Sequence, residues 1–330
     1  MEAAVFFEED ASKESVSGMR IGVIGYGNQG RAQALNMRDS GLSVIVGNPD
    51  DEYRKQALED GFEVSAISEA AAEADALFLL LPDEIMPEVF ENEIRPPLKK
   101  GALLCFASGY NIAFREIIPP QDADVVMIAP RMIGPGVRDC YLRGEGFFSF
   151  MCVHQDATGK AREKLLGLAR CVGALKKGGI ELTMKQEAVL DLFNEQAFGP
   201  AFGRVLLTSV NTLLKNGLPP EAVLVEMYLS GEMAYTYEKM ANYGIVKQLD
   251  YHSHTSQYGA LSRGARYIGL PLKKKFQKTF DEINSGAFAE EWGSKRAKLK
   301  LKVLKRFASR QKIGVIEEKV RKKLRFPSSE

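Results

Sequence analysis

Gly25, Gly27 and Gly30 stand in GxGxxG spacing within RIGVIGYGNQGRAQAL, directly after an apolar run and directly before a segment of helical period. Each glycine has its own task. Gly25 permits the tight turn, Gly27 lets backbone approach a pyrophosphate, and Gly30 lets helix and strand pack closely, with phosphate at the helix N-terminus. The next apolar run, SVIVG, ends near Asp50, about twenty residues on, as in dinucleotide-binding units. Asp50 or Asp51 in NPDDEY would accept hydrogen bonds from adenosine ribose hydroxyls and repel a 2′-phosphate, which favours NADH over NADPH. The same aspartates could instead cap the following helix.

A second set of residues is acidic. In VLDLFNEQAFGP, Asp191 and Glu195 are four apart and on a helix would face one side. Leu190, Leu192, Phe193 and Phe198 around them suggest a helix largely wrapped in protein. Two acids in such surroundings repel unless something positive sits between them. Mg²⁺ would serve, and so would a lysine or arginine, or the pair could be solvated surface. In VEMYLSGEMAYTYEK, Glu226 and Glu232 are six apart and diverge by about 120° on one regular helix. DYHSHTSQYG offers Ser253, whose hydroxyl could hold a carboxylate or cap a helix. FASGYNIAF, 106–114, follows a buried run and reads as a turn or a catalytic loop, since Gly and Asn tolerate positive φ.

The elements that must position these residues differ between the two halves. RIGVIGYG, SVIVG, FEV, ALFLLLP, ALLCFA, VVMIAP and FFSFMCV are short apolar runs bounded by Gly, Pro and Asp. They indicate strands buried on both faces, hence an α/β doubly wound, mostly parallel sheet over 1–182. From 183 to 330 the period is helical, and an all-α domain ending in a basic tail is expected.

The composition fits this reading: 330 residues, 45% apolar, 26% charged and a net charge of +1. No run approaches a membrane span, and the N-terminus is acidic where a secretory signal would be basic, so a cytoplasmic protein is expected. Cys105, Cys140, Cys152 and Cys171 lack CxxC spacing and sit among apolar neighbours, so neither zinc nor disulfides are expected. Lys and Arg accumulate from Lys295 onward. A solvated helix is expected there, its Leu299, Val303 and Leu304 packed on the body, with no membrane or nucleic-acid partner.

IGYGNQGRAQALNMRDSG, LLPDEI, FASGYNIAF, VHQDATGKA, DLFNEQ, SQYG and SGAFAEEW, in this order over roughly residues 15–292, resemble the short-form ketol-acid reductoisomerases. The resemblance implies a Rossmann domain joined to a helical domain in a nicotinamide- and Mg²⁺-dependent enzyme of branched-chain amino-acid synthesis. Such an enzyme migrates an alkyl group in 2-acetolactate or 2-aceto-2-hydroxybutyrate, a 2-hydroxy-2-alkyl-3-keto acid, and reduces the product to a 2,3-dihydroxy acid. It further implies that Tyr26, Gly27, Asn28 and Gln29 line NADH or NADPH, with Asn48, Asp50 and Asp51 as the ribose loop. Pro82, Asp83, Glu84 and Ile85 would line the cleft, with Gly134 in the same set. Asp191 would bridge two Mg²⁺ ions, Glu195 would hold one, and Ser253 would bind the substrate carboxylate. At least a dimer is implied, in which one subunit's glutamates complete the other's metal site.

The departures are specific. The family usually reads FAHGFNIHF and APKGPG, so Ser108 stands at its histidine and Arg131 at its metal-site lysine. Two family glutamates four apart correspond to Glu226 by one alignment and Glu232 by another, which requires an irregular helix at Ser230–Gly231. Three outcomes stay open: a working reductoisomerase in which water or Glu232 handles the proton, a reductase of another 2-keto or 2-hydroxy acid that lacks isomerase activity, or a non-catalytic paralogue.

Overall fold

The apolar runs become strands because both faces of each are needed. Along β2 (Arg20–Ile24), β3 (Ser43–Gly47), β5 (Ala76–Leu79) and β6 (Leu103–Phe106), successive side chains enter two separate cores. Val44, Val46, Ala76, Phe78, Leu103 and Cys105 join one core. Ile45, Leu77, Leu79, Leu104 and Phe106 join the other. Each of the Val, Ile, Leu and Phe side chains contributes roughly 1.5–3 kcal/mol when fully buried.

The computed structural model describes residues 2–268, 271–308 and 312–326. The chain separates after Asp191 into two units. In the first, β1 (Val5–Phe6), β4 (Glu63–Ser65), β7 (Asp124–Pro130), β8 (Phe148–Gln155) and β9 (Gly178–Glu181) complete a nine-stranded sheet of order β1-β9-β8-β7-β6-β5-β2-β3-β4. Strands β2 to β7 run parallel, β8 runs antiparallel to β7, and β1 antiparallel to β9. This is the doubly wound α/β architecture expected. Strands β1 and β9 gave no signal in the sequence, one having two residues and the other opening on two glycines. All four cysteines are buried and unpaired.

The strand order reverses between β2 and β5, which opens a crevice at their carboxyl ends. Gly25 lies there with φ +93°, and a Cβ on it would stand 2.9 Å from the Leu80 carbonyl oxygen.

Among its described residues, the second unit is helical throughout. Its longer helices are Gly199–Lys215, Glu232–Tyr243, His254–Gly264, Leu272–Asn284, Lys295–Ala308 and Lys312–Lys323. Its buried cluster is small, formed by Val210, Val223, Leu224 and Val320. Phe198, Phe202, Tyr235 and Tyr237 are exposed.

The basic stretch forms the expected helix, but the packing expected for it is not found. Leu299, Val303 and Leu304 are 66%, 61% and 54% exposed. The helix turns Ala297 inward and packs on the short helix Ala287–Gly293. Leu299 and Val303 lie about 160° and 120° around the axis from Ala297, so they face away from that short helix. Residues 309–311 of the tail lie outside the described residues.

The helix Asn28–Asp39 sits against β2 at Gly30, where a Cβ would come within 2.0 Å of the Gly25 carbonyl oxygen. Gly30→Ala should therefore destabilise the fold by about 1–3 kcal/mol or more, read as a lower Tm. Nothing lies within 4 Å of a Cβ on Gly27. Gly27→Ala should melt close to wild type, and equal losses in both variants would refute this account of the loop.

Candidate active site

The glycine loop is held from both sides. Gly25 N–H donates to the Gly47 carbonyl at 3.0 Å, and Tyr26 N–H donates to Asn48 Oδ1 at 3.0 Å. The buried Tyr26 phenol donates to Asp60 Oδ2 at 2.8 Å, and burial with that carboxylate pushes its pKa well up. Arg31 grips the same carboxylate through Nε at 2.6 Å and Nη2 at 2.9 Å. Gln29 Nε2 donates to the Met132 carbonyl at 2.9 Å. Gly134 approaches so closely that a Cβ there would meet the Asn28 carbonyl oxygen at 2.2 Å.

A cavity of about 430 Å³ opens beside this loop, and Tyr26, Gly27, Asn28, Tyr53, Gly134 and Arg138 are among its lining residues. The loop fits a dinucleotide: Gly27 leaves open space above the N-terminus of the helix Asn28–Asp39, where a pyrophosphate would meet backbone N–H groups.

The other residues assigned to the cofactor divide. Asn48 is buried, and its Nδ2 donates to Asp51 Oδ1 at 2.8 Å. Asp51 caps the helix Glu52–Glu59, accepting from the N–H groups of Tyr53 and Arg54. Asp50 is exposed and has no side-chain partner among the described residues. Arg54 Nη1 is spent on the carbonyls of Asn48 and Ser65, at 3.1 and 3.2 Å. Pro82, Asp83, Glu84 and Ile85 follow β5 and do not line the cavity, and Asp83 accepts from Asn111 Nδ2 at 3.3 Å.

At the carboxyl ends of β6 and β7 stands a cluster of acids and a cation. Arg131 follows β7, and its backbone N–H donates to the Phe148 carbonyl at 2.8 Å. Its guanidinium binds Glu187 Oε1 through Nη1 at 3.0 Å and Asp191 Oδ1 through Nη2. The guanidinium lies over the Phe150 ring, 4.8 Å from its centre. Glu187 is buried, and its second oxygen accepts from Gly109 N–H at 2.7 Å. Burial, with the nearby Asp191 charge adding to it, pushes the Glu187 carboxyl up to about 7 against the opposing pull of Gly109 N–H and Arg131.

Ser108, next to Gly109, accepts from Tyr110 N–H at 3.2 Å. FASGYNIAF is therefore a turn and also part of this cluster. Sequence reasoning missed Glu187, although acids at 187, 191 and 195 repeat at a spacing of four.

The acids of the second unit are placed differently. The α-helix Met184–Phe193 ends before Glu195, which lies in a π-helical turn, Asn194–Phe198, so the regular four-residue spacing assumed for Asp191 and Glu195 does not apply. Leu190 and Phe198 are half exposed, so this stretch is not wrapped in protein within one chain. Glu226 lies in another π-helical turn, Val225–Leu229. Gly231, with φ +82°, breaks the helix, and Glu232 begins the next. The irregularity falls where the spacing of the two glutamates requires it. Ser253 caps the helix His254–Gly264, accepting from Ser256 N–H at 3.2 Å.

Carboxylate oxygens suit Mg²⁺ chemically. Among the described residues, however, no group of three His, Cys, Asp or Glu is assembled to hold a metal ion. With Arg131 on Asp191 Oδ1, a two-ion arrangement bridged by Asp191 does not fit this chain as it stands.

The raised Glu187 pKa makes stability depend on pH. The folded protein binds this proton more tightly than the unfolded chain, so the stability it contributes is fully present below the ordinary value of 4.5 and is lost as pH rises towards about 7. In metal-free buffer, Glu187→Gln should gain on wild type between pH 5 and 8 by on the order of 3 kcal/mol. Denaturant unfolding at each pH measures this, and a difference independent of pH would refute it.

A family model for the acetohydroxy acid isomeroreductase NADPH-binding domain matches residues 15–178, and one for the ketol-acid reductoisomerase C-terminal domain matches residues 184–326. The putative ketol-acid reductoisomerase 3 of Saccharolobus solfataricus is 45% identical over 288 residues, covering 86% of each chain. The ketol-acid reductoisomerase (NADP(+)) of Pyrobaculum islandicum is 39% identical over 334 residues, covering 98% of each. The structure of an NADH-preferring ketol-acid reductoisomerase from an uncultured archaean superposes with a TM-score of 0.91 at 34% identity, over 97% of this chain and 98% of that one. The chain belongs to the ketol-acid reductoisomerases, NAD(P)H-dependent oxidoreductases of branched-chain amino-acid biosynthesis.

Proposed function

We propose that the protein converts 2-acetolactate and 2-aceto-2-hydroxybutyrate to 2,3-dihydroxy acids. The reading is carried by the Arg131 guanidinium fixed across Glu187 and Asp191, at the same strand ends where the glycine loop opens. When bound, the nicotinamide supplies the hydride. Arg131 uses two of its five N–H groups on the acids, which leaves three for the carboxylate and carbonyl oxygens of the substrate. Glu187, buried with both oxygens already accepting hydrogen bonds, holds that cation in place for the substrate. Water or Glu232 is the candidate for the proton handling that Ser108, a neutral hydroxyl, performs poorly.

Mg²⁺ dependence is part of the proposal, with Asp191, Glu195, Glu226 and Glu232 as hard oxygen donors and Ser253 on the substrate carboxylate. So are a cytoplasmic location and a homodimer, the latter because apolar side chains such as Phe198 and Tyr235 stand exposed in one chain. No helix among the described residues is long and apolar enough to cross a membrane.

NADH is the proposed reductant. The exposed Asp50 carboxylate, in the loop after β3, would repel a 2′-phosphate brought near it, and Arg54, the nearby cation, is engaged elsewhere. The resemblance in fold to an NADH-preferring relative supports this.

A second reading, a reductase lacking isomerase activity, draws on the Arg131–Asp191 pair, which ties up an acid assigned to the metal. With Mg²⁺ and NADH, turnover of 2-acetolactate is expected. Turnover confined to 3-hydroxy-3-methyl-2-ketobutyrate would select the second reading, and turnover of neither would refute both. Asp50→Ser should move the NADH-to-NADPH ratio of kcat/KM about tenfold towards NADPH, equivalent to about 1.4 kcal/mol. An unchanged ratio would remove Asp50 from the specificity argument.

A further inference from the structure

We infer that the Arg131 guanidinium replaces one of two divalent ions, so that each subunit binds a single Mg²⁺. The inference rests on the function proposed above. It starts from the misfit at Asp191, where Oδ1 is already bound by a permanent cation.

That cation is held on several sides. Glu187 Oε1 receives Nη1 at 3.0 Å, and the Phe150 ring lies beneath the guanidinium at 4.8 Å. The backbone of Arg131 is fixed to the Phe148 carbonyl. Glu187 is itself anchored, being buried with its other oxygen on Gly109 N–H at 2.7 Å.

Two ions shared through Asp191 would draw on both of its oxygens, and the one at Oδ1 would compete with Nη2 and face a positive charge at contact distance. A lysine in a like position could relieve this by losing its proton. Arginine barely titrates, so it must leave bodily. Leaving would also give up the Glu187 Oε1 contact and the stacking on Phe150. The guanidinium therefore stays, and its unused N–H groups offer an oxygen of the substrate the positive partner that the absent ion would have been.

The test counts ions. Full-length protein is titrated with Mn²⁺, and bound metal is measured by equilibrium dialysis and by the loss of the free-ion EPR signal. Wild type should bind one Mn²⁺ per subunit, whereas Arg131→Lys and the uncharged Arg131→Met should each bind two. Two ions in wild type, none in wild type, or one in a variant that retains the wild-type fold by circular dichroism would each overturn the inference. If one variant fails to fold, the other decides. The count does not use activity. Absence of turnover with every substrate would defeat the functional reading, and an ion count other than one would defeat this inference.

Discussion

The carboxyl group of Glu187 is the contact on which the site depends. It comes from the helix after β9 and meets the loop after β6 through Gly109 N–H and the loop after β7 through Arg131. A buried acid is costly unless every lone pair is used, and here both oxygens are engaged. That requirement fixes how closely the loop must come. A Cβ on Gly109 would stand 2.1 Å from the Met184 carbonyl oxygen, so only glycine allows the helix and the loop to meet. Three segments far apart in sequence are thus set by one side chain, and the orientation of the guanidinium follows from them.

The parallel sheet was legible in the sequence because strands buried on both faces show as unbroken apolar runs, and β2, β3, β5 and β6 have no other reading. The glycine loop was legible because its three positions answer to three separate steric demands. Glu187 was not. A buried charge carries no local mark, since its partners, Gly109 and Arg131, are 78 and 56 residues away. Asp191 shows how a local argument leaves a choice open: a positive group was expected between Asp191 and Glu195, and the one found on Asp191 is Arg131, shared with Glu187. At Asp51 and Ser253, capping, the commoner use of such residues, is what the structure contains.

The second unit is a different physical object. Its helices follow the helical period of the sequence, yet its buried cluster is small and many of its aromatic residues face outward. Periodicity shows which face of a helix is apolar but not which partner covers it, and Leu299, Val303 and Leu304 were assigned the wrong partner for that reason. The first unit closes its core within one chain. The second leaves apolar side chains such as Phe198, Phe202 and Tyr235 exposed.

The π-helical turns around Glu195 and Glu226 have a consequence for how such a site can change. A π-turn is an α-helix carrying one extra residue, and everything after the extra residue is rotated by about 100° about the axis. Deleting a single residue in such a turn would restore the regular helix and swing the following side chains to another face without breaking the helix. At these two turns, the identity of the acid and the direction it points can therefore be altered independently, one by substitution and the other by a change in chain length.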